Sequence, residues 1–116
     1  MERIELFFRE LYEKFNQRKI GDVVTQMTDN VIWANGMDGG FVYGHDGVTE
    51  YWTRQFKMVR SNVSPMEIEQ EDGKYKIRVH QVVHDLNGNL LADETVYHYF
   101  QLENDKIAKF EIGERI

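Results

Sequence analysis

The sequence predicts an α+β fold in which helices cover one face of a curved, mainly antiparallel sheet. Helical spacing of apolar residues is confined to about the first 60 residues, whereas the remainder alternates between apolar and polar side chains. Three turn signals, Asp72-Gly73, Asn87-Gly88 and Asn104-Asp105, divide that second part into strands. Helices and strands that segregate along the chain are typical of α+β domains. With 116 residues, the chain is expected to form a single domain over residues 1–116.

Three helices are predicted in the first half. Glu2–Asn16 places six apolar side chains at helical spacing, and Ile20–Met27 carries a second, shorter stripe that ends at Thr28-Asp29-Asn30. The third helix begins after Gly44-His45-Asp46-Gly47, with Asp46 as its N-cap, and continues to about Arg60.

Short strands are predicted between these helices, and a meander of four strands follows them. Val31–Ala34 is rich in residues that favour strands, and the turn signals mark the ends of the later segments. The predicted strands are Val31–Ala34, Phe41–Tyr43, Met66–Glu71, Tyr75–Leu86, Leu90–Leu102 and Lys106–Ile112.

The Asn87-Gly88 turn fixes the pairing of the two long strands. It sets Gln81 opposite Glu94 and Ile77 opposite His98. The face that carries these residues is the more apolar one and is expected to meet the helices. Gln81, Glu94 and His98 are therefore the polar exceptions on an inward face.

Strict alternation in the last strand would direct Lys109 and Glu111 inward, and burying unpaired charges is costly. A bulge near Ala108-Lys109 would instead turn Phe110 and Ile112 towards the core. We predict the bulge. Without it, Glu111 would lie beside His98 as a carboxylate–histidine pair.

Composition excludes several classes of function. There is no cysteine, so neither disulfides nor cysteine nucleophiles exist. A net charge of −6 disfavours binding to phosphate backbones, so no nucleic-acid partner is expected. The charged N-terminus does not resemble a signal peptide, and no apolar run reaches the ~20 residues of a membrane span. We expect a cytoplasmic protein without a membrane partner.

The outer face of the sheet carries apolar side chains among its charges. They are Val82, Leu91, Tyr97 and Tyr99. Such a surface predicts a homodimer that forms sheet to sheet, although tyrosines also occur in strands simply because they favour them. His80 and His84 share this face, but four residues of strand separate them by ~13 Å, too far for one metal ion. No metal site is predicted.

Aromatic and flexible apolar residues from separate elements suggest a ligand-binding wall. These are Trp33, Met37, Tyr43, Trp52 and Phe56. Ordinary core packing is the alternative. The glycine-rich loop Asn35–Gly40 lacks a phosphate-loop pattern and is interpreted as a flap over a pocket mouth.

The order of these motifs resembles the SnoaL-like and ketosteroid-isomerase-like proteins of the nuclear-transport-factor-2-like superfamily. The resemblance covers essentially the whole chain. It is carried by Thr28-Asp29-Asn30-Val31-Ile32-Trp33, by Gly44-His45-Asp46-Gly47-Val48, and by Tyr97-His98-Tyr99-Phe100-Gln101-Leu102 with Lys106–Phe110. It implies a cone-shaped α+β barrel with a pocket between helices and sheet, usually in a dimer.

The resemblance also implies where chemistry would occur. Asn35 falls where ketosteroid isomerases hold an aspartate base, and an amide cannot take that proton, so steroid isomerisation by this route is not expected. His98 falls where those enzymes hold a protonated aspartate, and histidine can donate, accept or transfer a proton near neutrality. Tyr12 lies next to Leu11, which occupies roughly the position of their hydrogen-bonding tyrosine. Cyclase and dehydratase chemistry of the superfamily stays open.

Three functions are compatible with these residues and with the resemblance. The first is a cofactor-independent isomerase, cyclase or dehydratase that acts on a small apolar carbonyl or hydroxyl compound, with His98, Asn35 and Tyr12 as its catalytic candidates. The second is a non-catalytic ligand-binding protein, and the third is a protein-interaction module whose interior is filled. The ligand-binding candidates are Trp33, Met37, Tyr43, Trp52, Phe56, Gln81, Glu94, Phe110 and Ile112.

Overall fold

The computed structural model describes the backbone of residues 2–115 and the side chains of residues 3–113. Met1 and Ile116, the two ends of the predicted domain, lie outside the described residues. The helices are α1 (Glu2–Asn16), α2 (Ile20–Val24) and α3 (Gly44–Phe56). The strands are β1 (Met27–Ala34), β2 (Phe41–Tyr43), β3 (Val59–Glu71), β4 (Lys74–Asp85), β5 (Leu90–Glu103) and β6 (Lys106–Arg115). Within residues 2–115, none of the helices has the length and apolar character that a bilayer crossing requires.

The strands form one curved sheet of six, in the order β2-β1-β6-β5-β4-β3. Only β1 and β6 run parallel, and the other neighbours are antiparallel. The sheet is not closed, so β2 and β3 are its edges. The helices pack inside its curvature, which confirms the predicted α+β cone.

The predicted pairing of the two central strands is confirmed. Gln81 lies opposite Glu94 and Ile77 lies opposite His98. Ile77 and Phe100, on the inward face, are buried against the helices.

The turn itself differs from the two-residue turn expected at Asn87-Gly88. The register shifts between Val83 and His84, and the N–H of Asp85 donates to the carbonyl of Asn89 at 2.9 Å, which leaves Leu86–Gly88 as the loop. Gly88, at a φ of 88°, adopts the positive φ that this loop requires.

The predicted bulge in the last strand is also confirmed. Gln101 pairs with Lys109 whereas Leu102 pairs with Ile107, which leaves Ala108 as the extra residue. Ile107 and Phe110 are buried as a result. Ile112 lies on the same side and lines the cavity, but it is 44% exposed and is not part of the core as predicted. Glu111 points outward, 3.3 Å from the ammonium nitrogen of Lys74, so it does not pair with His98.

Three predicted helix boundaries are wrong. The second helix ends at Val24 rather than Met27, and Met27 instead begins β1 and pairs with Ile107 of the neighbouring strand. The third helix begins at Gly44, whose φ of 72° turns the chain into the helix. Asp46 therefore lies in the first helical turn, where a carboxylate still favours the positive end of the helix dipole, but it is not the N-cap.

The third helix also ends earlier than predicted, at Phe56, and β3 begins at Val59. Val59 continues the helical stripe, but Val59, Ser61 and Val63 also alternate as a strand does, so both periods fit the same residues. Pro65 lies in this strand, next to a register shift. Proline is tolerated there because β3 is an edge strand.

Helix α1 covers part of that edge. The side-chain amide of Asn16 donates to the carbonyl of Val63 at 2.7 Å and accepts from its N–H at 2.9 Å. Arg9 donates to the carbonyl of Pro65 at 3.3 Å. These side chains satisfy main-chain groups that an edge strand leaves without a neighbouring strand.

Candidate functional site

A cavity of about 120 Å³ lies between α1, α3 and the inner face of the sheet. Most of its wall is apolar and comes from Leu11, Phe15, Trp33, Trp52, Phe110 and Ile112. Polar side chains interrupt this wall at Tyr12, Tyr51, Gln55, Ser61, Gln81 and His98. No Asp, Glu, Lys or Arg contributes to the wall within the described part of the chain. The wall is therefore uncharged whenever His98 is neutral.

A buried hydrogen bond joins the helical and strand sides of the cavity. The Tyr12 hydroxyl lies 2.7 Å from Nδ1 of His98, and the two rings are stacked with an interplanar angle of 16°. Tyr12 lies on the inward stripe of α1, and His98 alternates with Val96 and Phe100 on the inward face of β5. Each side chain is therefore positioned by the periodicity of its own element.

Burial keeps both members of this pair neutral. It lowers the pKa of His98 to about 3, because a charged imidazolium would lose its hydration. It raises the pKa of the Tyr12 phenol well above its usual value for the same reason. Nε2 of His98 has no hydrogen-bond partner among the described residues. It can donate to a ligand in one tautomer and accept from a ligand in the other.

An aromatic wall extends from this pair across the cavity. The ring of His98 lies 4.8 Å from that of Phe110, which stacks on Trp33 at 4.2 Å. Trp33 meets Trp52 edge to face at 5.1 Å, and Trp52 meets Phe15 at 5.3 Å. The wall therefore presents aromatic surface to anything bound between His98 and α3.

The loop between β1 and β2 lies at the side of the cavity. Asn35 holds it in shape, because its side-chain oxygen accepts from the N–H groups of Met37 and Asp38 at 3.0 and 2.9 Å. The N–H of Gly36 donates to the Tyr51 hydroxyl at 3.0 Å. Burial raises the pKa of Tyr51, so its proton remains in place.

Seven of the predicted site residues contribute to the cavity wall. They are Tyr12, Trp33, Trp52, Gln81, His98, Phe110 and Ile112. The three predicted catalytic residues do not lie together. Tyr12 and His98 form a hydrogen bond, whereas the side chain of Asn35 is hydrogen-bonded within its own loop.

The structure places the other four candidates away from this wall. Tyr43 is 66% exposed on the edge strand β2, and Met37 packs against the core from the loop. Phe56 lies behind Phe15, under the guanidinium of Arg18. Glu94 lies opposite Gln81 in the sheet but does not reach the cavity.

Sequence reasoning missed three polar residues of the wall: Tyr51, Gln55 and Ser61. Gln55 follows Val48, Tyr51 and Trp52 at helical spacing, so the periodicity of α3 already points it inward. Ser61 comes directly after the predicted end of the third helix, and its inward position appears only once β3 is known to begin at Val59.

No group of three or more His, Asp or Glu side chains within residues 3–113 could hold a metal ion. His80 instead contacts Asp93 at 2.7 Å on the outer face.

Comparison with solved structures identifies the fold. An NTF2-like protein of unknown function from Burkholderia pseudomallei has a TM-score of 0.83 and 24% identity, over 97% of this chain and 90% of its own. TerC, co-crystallized with polyporic acid, has a TM-score of 0.81 and 22% identity over the same shares. SalBIII, an epoxide hydrolase/cyclase-like enzyme of pyran ring formation in the polyether salinomycin, has a TM-score of 0.80 and 14% identity, again over 97% and 90%. No family model and no curated protein matches the sequence. The predicted resemblance is confirmed at the level of the nuclear-transport-factor-2-like fold.

Proposed function

We propose that the cavity binds a small, uncharged, mostly apolar molecule and that Tyr12 and His98 polarise a carbonyl or hydroxyl oxygen of that molecule. The observation that carries this proposal is the buried Tyr12–His98 hydrogen bond, with Nε2 of His98 left without a hydrogen-bond partner within residues 3–113. Cavities of this kind, apolar with a few convergent polar groups, are typical of small-molecule sites. The cyclase-like enzyme SalBIII shows that ring-forming chemistry occurs on this fold.

The reaction class that fits is a proton transfer without a cofactor, of isomerase, cyclase or dehydratase type. When Tyr12 donates to Nδ1, the N–H of Nε2 donates to the substrate oxygen. A water molecule takes a proton from the carbon next to the carbonyl, the electrons of that C–H bond move to the oxygen, and the hydrogen bond from Nε2 stabilises the resulting negative charge in the apolar cavity. Return of a proton from the protonated water to the same carbon gives exchange with solvent, and return to another carbon gives isomerisation. Asn35, whose side chain is occupied in its loop, takes no part in this scheme.

A non-catalytic ligand-binding protein is the second candidate, and one observation favours it. The wall contains no carboxylate within the described residues, and a histidine with a pKa of about 3 is a weak base at neutral pH. The third function, an interaction module with a filled interior, fits less well because a cavity of about 120 Å³ is present.

Tryptophan fluorescence offers a direct test of binding, since both tryptophans of the chain, Trp33 and Trp52, lie in the cavity wall. Acetophenone serves as the probe, and exchange of its methyl protons in D₂O reports proton transfer next to its carbonyl. We expect saturable quenching and accelerated exchange. Saturable quenching without exchange would favour the non-catalytic candidate, and no saturable response would contradict the proposal.

Substitutions at His98 and at His80 test whether the exchange depends on the imidazole of His98 in particular. His98→Gln is expected to slow the exchange by about 10²–10³-fold, the usual effect of losing a donor to a developing oxyanion. The same substitution at His80, on the outer face, is the matched control and should leave the exchange unchanged. Equal rates for wild type and His98→Gln would refute the assigned role.

We also propose a homodimer that forms through the outer face of the sheet. Leu91 is 57% exposed at the start of β5, and the partly exposed rings of Tyr97 and Tyr99 lie further along the same strand. Leu91→Asp is expected to convert a dimer to a monomer in sedimentation velocity experiments. Leu6 on α1 is equally exposed at 57%, so Leu6→Asp is the matched control. A monomeric wild-type protein would contradict the proposal.

A further inference from the structure

The hydrogen bond between Tyr12 and His98 can form in two ways, and these present opposite groups to the cavity. The Tyr12 hydroxyl lies 2.7 Å from Nδ1 of His98, close enough for either atom to donate. A neutral imidazole carries a proton on one ring nitrogen only. If Tyr12 donates to Nδ1, the proton of His98 is on Nε2, which is then a donor. If Nδ1 donates to Tyr12, Nε2 carries no proton and is an acceptor.

The partners of the Tyr12 hydroxyl favour one of these two forms. Tyr12 is 5% exposed, and His98 is the only hydrogen-bond partner of its hydroxyl within residues 3–113. With Nδ1 as the donor, both the hydroxyl proton of Tyr12 and the bare Nε2 of His98 lack partners. With Tyr12 as the donor, only the N–H of Nε2 lacks one. Because buried polar groups without partners destabilise a fold, the form with a proton on Nε2 is favoured.

Neither residue changes its protonation near neutral pH. Burial lowers the pKa of His98 to about 3 and raises the pKa of Tyr12 well above its usual value. The pair therefore keeps one hydroxyl proton and one imidazole proton, and only their arrangement differs between the two forms.

The protonated Nε2 faces space that a ligand can occupy. His98 contributes to the cavity wall, and Nε2 is not among the fully buried polar atoms that lack a partner within residues 3–113. The ring of His98 otherwise contacts Phe110 and Phe100 edge to face, at 4.8 and 6.5 Å between centroids. Neither phenylalanine carries an oxygen or nitrogen that could accept from Nε2. An acceptor atom of a ligand would supply the missing partner.

We infer that Tyr12 is a positioning residue that holds His98 in the form that donates from Nε2, and that the cavity therefore selects ligands with a hydrogen-bond acceptor, such as aryl ketones, over ligands that offer only a donor. The inference rests on the proposed function, because it specifies the ligand of the same cavity. A ligand N–H that faces Nε2 would have to convert His98 to its other form, which leaves the Tyr12 proton unpaired. Such a ligand loses affinity for that reason.

Nitrogen-15 NMR of the ligand-free protein reads the arrangement of the protons directly, because protonated and unprotonated ring nitrogens resonate at well-separated frequencies. The chain has four histidines, so the signals of His98 are identified by their loss in His98→Gln. In the wild type at neutral pH we expect an unprotonated Nδ1 and a protonated Nε2.

The variant Tyr12→Phe keeps the ring and removes the hydroxyl. We expect both ring nitrogens of His98 to move towards intermediate frequencies, because the two forms then interconvert without losing the Tyr12 hydrogen bond. Tyr75→Phe is the matched control, since it makes the same change at a ring that packs on Phe8 outside the cavity wall. It should leave the nitrogen frequencies of His98 unchanged.

Three compounds of similar size measure the selection: acetophenone offers an acceptor, indole offers a donor, and α-methylstyrene offers neither. Dissociation constants come from NMR titrations of the wild type and of Tyr12→Phe, and α-methylstyrene corrects for any change in cavity shape. Relative to α-methylstyrene, we expect indole to bind about 3- to 10-fold more tightly to Tyr12→Phe than to the wild type, the usual effect of one neutral hydrogen bond. Acetophenone should show no such gain.

The outcomes distinguish this inference from the proposed function. A proton on Nδ1 in the wild type, averaged nitrogen frequencies there, or equal changes for indole and acetophenone would overturn the inference, while saturable binding of acetophenone would still support the proposed function. If none of the three compounds binds to the wild type, the proposed function fails and the ligand selection fails with it. If Tyr12→Phe does not fold, the nitrogen frequencies of the wild type still decide between the two forms.

Discussion

Replacing His98 by glutamine should remove a specific part of the acid sensitivity of this protein. His98 is 7% exposed, and its pKa in the folded state is about 3, compared with 6.5 for a solvated histidine. The unfolded chain therefore binds a proton at His98 at a pH where the folded chain does not. Stability from this residue is complete above about pH 6.5 and is lost as the pH falls towards about 3.

The size of the effect follows from the same two pKa values. Lowering the pH from about 7.5 to about 5 should cost the wild type about 2 kcal/mol more than His98→Gln, at ~1.4 kcal/mol for each pH unit below the unfolded pKa. Urea unfolding followed by circular dichroism at the two pH values measures both losses. Taking the difference between the proteins cancels the contributions of the surface carboxylates, which are common to both.

Two further measurements sharpen this experiment. His80→Gln controls for the loss of an imidazole at a surface position. The ring proton signals of His98 should also keep a constant NMR chemical shift over the same pH range while the protein stays folded. Equal losses of stability for wild type and His98→Gln, or a shift that titrates near neutrality, would contradict the burial of His98 and its lowered pKa.

Three further substitutions test the packing around this site by urea unfolding. Tyr12→Phe leaves a buried imidazole nitrogen without its partner and should cost about 1–3 kcal/mol, whereas a cost near zero would mean that water replaces the hydroxyl. Asn16→Ala removes two hydrogen bonds to main-chain groups of β3 and should also cost about 1–3 kcal/mol. Gly113→Ala places a Cβ 2.6 Å from the Tyr99 ring and 3.1 Å from the Cβ of Tyr97, so about 1–3 kcal/mol is expected from overpacking. An unchanged unfolding midpoint in that last variant would show that the tyrosines move aside freely.

Much of the fold follows from local features of the sequence. The pairing of β4 with β5 was predicted correctly over Tyr75–Val83 from Asn87-Gly88. The loop there has three residues rather than two, and the register shift between Val83 and His84 compensates for the extra residue. The bulge at Ala108 was predictable because the alternative would bury Lys109 and Glu111. The boundary between α3 and β3 was not, since Val59 satisfies the helical and the strand period equally well. Pairing with β4 makes Val59 part of a strand, and that pairing joins residues far apart in the sequence.

The site was predictable where an element fixes the direction of a side chain. His98 and Gln81 lie on a strand face whose register was known, and Tyr12 lies on a helix with a clear stripe. Asn35 belongs to a loop, where its side chain bonds to the next N–H groups rather than pointing into the cavity. Nothing in the spacing of residues distinguishes these two arrangements, because asparagine favours both turns and binding sites.

The cover that α1 provides for β3 also affects how the protein behaves at high concentration. An open sheet offers two edges on which foreign strands can add, which is a common start of aggregation. Here one edge is β2, which is only three residues long, and the other is partly covered by Asn16 and Arg9. Beyond Pro65 the same edge strand carries Glu67, Glu69 and Glu71, and charged side chains on an edge discourage the addition of a further strand; Glu67 and Glu71 pair with Arg78 and Lys76 of β4. The helix that forms one side of the cavity thus also covers part of an edge on which a foreign strand could add.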